Sequence, residues 1–125
     1  MKKQLGKYVD GFVIPIPKKN TAQYTKMARE ASKVWKKFGA LDYKECVLEN
    51  VKPDKFLILT FPKMAKAKPG ETVWFSYIVY KSRAHRDAVN KKVMAYFAKK
   101  YDENSEMPFD MKRFSYGGFK VVVGS

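Results

Sequence analysis

The sequence predicts an α+β domain of the ferredoxin-like βαββαβ kind: one four-stranded antiparallel sheet with two helices on a single face. Three observations carry that expectation. Two stretches with helical periodicity alternate with extended runs, in the order strand, helix, strand, short strand, strand, helix, strand. The first and third main strands are apolar on both parities, so each wants cover on both sides. Finally, 125 residues that are 46% apolar and 15% aromatic suit one domain, residues 1–125, and are too apolar for a disordered tail. Helices on one face leave the other apolar face open. A second copy of the chain is the simplest cover, so a homodimer is expected.

The first strand, residues 8–17, places Tyr8, Phe12, Ile14 and Ile16 on one side and Val9 and Val13 on the other, and Pro15 and Pro17 are expected to end it. Asn20 then offers a helix N-cap, with Gln23 three residues on. Tyr24, Met27, Ala28, Ala31, Val34, Trp35 and Phe38 recur at helical spacing, and Gly39 supplies a left-handed stop. Residues 41–49 alternate as a half-wet strand suited to a sheet edge. Residues 56–61 read as a short strand, and Pro62 and Pro69 bracket a loop or a single helical turn.

Residues 72–80 form a central strand, with Val73, Phe75, Tyr77 and Val79 opposite Trp74, Ile78 and Tyr80. Ser82 caps a second helix from Arg83 to about Lys100, whose buried stripe is Val89, Val93, Tyr96 and Phe97. Residues 112–123 close the chain as a last strand, with Gly117 and Gly118 marking a bulge or a close backbone approach. The short echo of residues 8–12 in residues 115–119 fits two neighbouring strands passing a tight spot.

Composition excludes several classes. The lone Cys46 argues against a disulfide framework and places the chain in a reducing, cytoplasmic setting; a single His85 argues against a multi-histidine metal centre within one chain. No apolar run approaches the roughly 20 residues of a membrane span, and the basic N-terminus has no apolar core of a signal peptide. No metal or cofactor is expected.

Three long stretches, residues 8–17 (YVDGFVIPIP), 71–90 (ETVWFSYIVYKSRAHRDAVN) and 107–121 (MPFDMKRFSYGGFKV), together resemble the YbaA-like family of small bacterial proteins, a domain of unknown function. The resemblance spans nearly the whole chain, departing around residues 55–59 and in the extra N-terminal lysines. It implies a dimeric α/β barrel, and it implies neither an activity nor a catalytic residue.

Candidate chemistry comes from charge and from polar residues in apolar runs. Twenty-six Lys and Arg against twelve Asp and Glu leave +14, concentrated in residues 1–37 (+8) and 81–100 (+6). Lys33, Lys36, Lys37, Arg86, Lys91 and Lys92 are therefore candidates for contacting a nucleic-acid backbone. Only four of the cations are Arg, the residue that base-edge readout favours, and no stacking motif or GXXG clamp is present.

Asp10 lies mid-strand in an apolar run, where an unpaired carboxylate is costly. His85 lies four residues before Val89 on the buried stripe. Together they are candidates for an acid–base pair, with Tyr77, Arg113 and Tyr116 orienting a small substrate in a cleft between sheet and helices. The structural alternative is a satisfied network in which Arg113 or a backbone amide neutralises Asp10. Cys46 is expected to be a small packed side chain, and Met27, Met94, Met107 and Met111 to fill gaps. A small-molecule cleft ranks first, a purely structural dimer second, and nucleic-acid binding third.

Overall fold

The computed structural model describes residues 6–124; the basic stretch at residues 1–5, read above as lacking a signal core, lies outside the described residues. Strands β1 (Tyr8–Pro17), β2 (Asp42–Val47), β3 (Glu71–Tyr80) and β4 (Ser115–Lys120) form one sheet in the order β2-β3-β1-β4, with every neighbouring pair antiparallel. Two long helices, α1 (Thr21–Lys37) and α3 (Arg83–Lys100), and a single turn, α2 (Phe61–Met64), complete the α+β fold.

Even-numbered residues of β1 and β3 face the helices. Ile78 and Tyr80 meet Val34 and Ala40 at the end of α1 and Val89 and Val93 of α3. Ile14, Ile16 and Trp74 meet Tyr24 and Ala28 near the start of α1. The expected α1 stripe packs inward, and Gly39 ends the helix at φ +117°, where an L side chain is strained. Ser82 caps α3 by accepting from the His85 N–H at 3.1 Å. As expected, β2 is an edge strand, and the echo pairs β1 with β4, with Gly11 level with Gly117.

Several expectations are corrected. Residues 56–61 form no strand: Phe56, Leu57, Ile58 and Leu59 are 63–86% exposed, and the Asp54 carboxylate accepts from the Phe56 and Leu57 N–H groups at 2.7 Å to make a turn. Both sides of β3 are already taken by β1 and β2, so that run has no partner there. Pro62 instead opens the α2 turn.

Pro17 is the last residue of β1, as expected, whereas Pro15 lies within the strand. Its ladder to β4 stops at Val13, so Pro15 and Pro17 lie beyond that ladder, where a missing N–H costs little. The Asn20 side chain does not cap α1; its Nδ2 donates to the Pro108 carbonyl at 3.0 Å. β4 starts only at Ser115, because Asp110 caps a tight turn over Met111–Arg113. Tyr96 lies on the rim of the α3 stripe, 36% exposed, Met94 faces solvent, and Met111, although 63% exposed, borders the space between sheet and helices. Cys46 is exposed on the outer sheet face rather than packed, level with Phe75.

Candidate functional site

The period of two in β2 decides what enters the space between sheet and helices. Lys44 and Cys46 point outward, whereas Tyr43 and Glu45 point towards α1, level with Ile78 and Ser76 of β3. Tyr24, from the first turn of α1, donates to Glu45 Oε1 at 2.9 Å, and Tyr43 donates to Oε2 at 2.6 Å. Ser76 adds a third hydroxyl. The Tyr24 ring is fixed edge-on against Trp74 and Phe109, with centroids 4.8 and 5.8 Å away.

These groups border a cavity of about 280 Å³ between the sheet and the helices. Phe12, Trp35, Phe97 and Phe109 supply much of its wall, Met27 and Met107 fill between them, and Glu45 is its one charged side chain. Burial raises the Glu45 carboxyl above its ordinary pKa, opposed by the hydroxyls of Tyr43, Tyr24 and Ser76. The Tyr24 and Tyr43 hydroxyls are pushed far up, first by burial and then by Glu45, so both remain donors at neutral pH. Such a carboxyl can hold or release a proton, or accept a ligand's donor, in a setting partly shielded from water.

Glu45 is the residue that sequence reasoning missed. Its signal was available in the strand's parity, which puts a carboxylate on the same side as Tyr43 and Val47.

A second buried polar centre surrounds Asp10, which is 2% exposed on the inward face of β1. Its Oδ1 lies 3.4 Å from Arg86 Nη1, and beside it Tyr80 Oη donates to Asn90 Oδ1 at 3.2 Å. Burial raises the Asp10 pKa, with Arg86 opposing. Arg86 also lies over the Tyr8 ring, donates to its hydroxyl at 3.1 Å, and pairs with Asp87 at 3.0 Å. The close approach expected at the glycine pair is here: a Cβ on Gly118 would sit 2.3 Å from Tyr8 Oη. Trp35 joins the two centres, since its ring borders the cavity while Nε1 donates to Tyr80 Oη at 3.0 Å and Asn90 Oδ1 at 3.3 Å.

The cation at Asp10 is thus Arg86, not Arg113. Arg113 forms a two-point pair with Glu71, at 2.7 and 2.8 Å, and holds that carboxyl down to about 2. His85 is not hydrogen-bonded to Asp10: its Nδ1 accepts from the Lys81 N–H at 2.9 Å, and its ring stands edge-on to Tyr80. Tyr77 lies on the outer sheet face beside Phe75. Tyr116 is 73% exposed and stacks on Phe12. These five residues therefore do not share one cleft.

Of the basic candidates, Lys33, Lys37, Lys91 and Lys92 are exposed. Lys36 donates to the Leu41 carbonyl at 2.8 Å, and Arg86 is committed to the Asp10 network. Among the described residues no helix is long and apolar enough to cross a membrane, and no three His, Cys, Asp or Glu come together as a metal site.

The family model described as "Protein of unknown function (DUF1428)" matches residues 7–111. "Uncharacterized protein YbaA" of Escherichia coli (strain K12) is 41% identical over 117 residues, 94% of this chain and 97% of its own length, and the same protein of Shigella flexneri matches with the same figures. Among solved structures, the de novo designed protein Foldit4 aligns over 92% of this chain and 98% of its own, at 12% identity and a TM-score of 0.46. A family match across most of the chain, together with a relative this similar from end to end, means that the chain belongs to the DUF1428 family, alongside the uncharacterised YbaA proteins.

Proposed function

We propose that this chain is a homodimeric α/β-barrel protein of the ferredoxin-like plan, acting in the cytoplasm, that binds a small, largely apolar molecule in the cavity between its sheet and its helices. The cavity carries the reading: about 280 Å³ walled by aromatic and methionine side chains around a half-buried carboxyl held by tyrosines. A core optimised only for stability fills such a space and avoids such a carboxyl. The polar anchor of the site is Glu45 rather than His85. The strand order β2-β3-β1-β4, with α1 and α3 on the same face, supports the ferredoxin-like plan. The outer face, where Phe75 is 43% and Phe119 60% exposed, supports the dimer.

Native mass spectrometry of the purified chain tests both parts. The expected result is a dimer at twice the 14.5 kDa chain mass with a discrete small adduct. Substituting Ala31, which borders the cavity, by Phe is expected to remove the adduct and keep the dimer. A bare dimer that also takes up no neutral aromatic compound overturns the cavity reading and leaves a structural dimer. A monomer overturns the barrel.

A second reading, a polyanion-binding surface, rests on an open groove where Lys26, Arg29, Lys33 and Lys37 of α1 face Tyr96 of α3. Glu30, the one acid in that groove, is tied to Lys100. This reading expects affinity for single-stranded RNA that falls with salt, by about −0.7 in log K per log salt for each phosphate neutralised. Binding that is indifferent to salt eliminates it.

A further inference from the structure

We propose that the ligand of this cavity is an organic cation: an amine on an aryl-sized apolar skeleton, with Glu45 as its counter-ion and the surrounding rings as its cage. The inference rests on the cavity being a ligand site and names what that site selects.

The charge on the wall comes first. No Lys, Arg or His borders the cavity, and no cation lies within ion-pair distance of Glu45 among the described residues. Asp10, the buried carboxyl of β1, has Arg86; Glu71 has Arg113. Glu45 alone is left with neutral hydroxyls as partners. From the outer side of α1 and β2, Arg29 and Lys44 share a shallow surface depression with Glu45, but Lys44 pairs with Asp42 instead. Tyr24 and Tyr43 each use one lone pair of the carboxylate and leave others free. A ligand N–H bearing a positive charge completes that set. A neutral ligand leaves this half-buried charge uncompensated, and an anionic one is repelled by it.

The rings come second. Phe12, Tyr24, Trp35, Tyr43, Phe97 and Phe109 border the space, so an ammonium held by Glu45 enters a pocket walled largely by aromatic rings. Met27, Met107 and Met111 give the remaining wall a soft, adaptable surface suited to an apolar skeleton rather than a sugar or a phosphate. The +14 of the chain opposes a cation at long range, but salt screens that repulsion over about 8 Å, whereas Glu45 acts at contact.

The test is isothermal titration of the full-length protein at pH 7.5 with 2-phenylethylamine and 2-phenylethanol, which share a carbon skeleton and differ in bearing an ammonium or a hydroxyl. The amine is expected to bind about tenfold or more tightly than the alcohol. Glu45→Gln is expected to abolish that preference while still binding the alcohol, and Glu45→Asp, which keeps the charge, to preserve its direction. Near-ultraviolet circular dichroism of both variants establishes that they are folded.

An alcohol that binds as tightly as the amine, or a Glu45→Gln protein that keeps the preference, overturns the cation assignment and leaves the cavity standing. Binding of neither compound overturns both.

Discussion

Burial acts on Glu45 and Asp10 in the same direction, raising both carboxyl pKa values, yet the two sites differ in whether a cation stands beside the group. A carboxyl whose pKa is higher folded than unfolded weakens the fold as pH climbs from its unfolded value through its folded one, because the folded state resists losing the proton. Removing the Glu45 charge should therefore help stability where it is ionised. Glu45→Gln is expected to match wild type near pH 4 and to exceed it at pH 7.5 by on the order of 1 kcal/mol, read from urea unfolding at the two pH values. A difference that does not change with pH would show that the carboxyl carries no desolvation penalty. Asp10→Asn removes a buried desolvated charge too, but it also breaks the ion pair with Arg86, whose side chain is 17% exposed and keeps only Asp87 and Tyr8 as partners. Its expected cost at pH 7.5 is about 3 kcal/mol. A gain on Glu45→Gln together with a loss on Asp10→Asn would be the pattern of a carboxyl kept for what it binds.

Where α1 ends and α3 begins, one glycine serves two elements. Gly39 takes φ +117° to stop α1, and a Cβ there would meet His85 Nε2 at 3.3 Å, so the α1 stop and the α3 start are seated against each other. Gly70 has φ +84° with nothing within 4 Å, and so isolates the backbone term alone. Gly70→Ala is expected to cost about 1 kcal/mol and Gly39→Ala more, about 2 kcal/mol, in thermal unfolding; equal costs would mean that His85 yields freely. The Gly39 stop, the Ser82 cap and the α1 stripe were legible in the sequence because each is settled within a turn or two of chain. Asn20 was not, because the carbonyl that captures its side chain lies 88 residues away at Pro108. The apolar run at residues 56–61 has strand chemistry, but the Asp54 carboxylate takes up the Phe56 and Leu57 N–H groups in a turn. The candidate site failed for the same reason as Asn20. That Asp10 would be buried was legible locally, but the choice of Arg86 over Arg113, and the meeting of Tyr24 with Glu45, depend on how α1 and α3 lie across the sheet.

At the scale of the molecule, exposed area is the quantity to explain. A compact chain of 14.5 kDa exposes about 6,900 Å² by the usual scaling with mass. This one exposes 9504 Å². The outer sheet face contributes Phe75 and Phe119, and the segment at residues 51–59 contributes Phe56, Leu57, Ile58 and Leu59, all large and apolar. A standard interface removes about 800 Å² from each partner, and the exposed rings of the outer sheet face offer apolar area to one. Phe75 sits on the outer face of β3, a strand paired on both sides, and so is central in any such contact. Its side chain touches neither the cavity wall nor either buried core cluster. Phe75→Glu is therefore expected to yield a folded monomer by light scattering after gel filtration, since two buried carboxylates without partners would face each other across the two-fold axis. Dimerisation should also make the wild-type melting temperature rise with protein concentration, and the Phe75→Glu melting temperature should not. A wild-type chain that is monomeric at 100 μM, with a melting temperature independent of concentration, would leave that apolar face in water and refute the barrel.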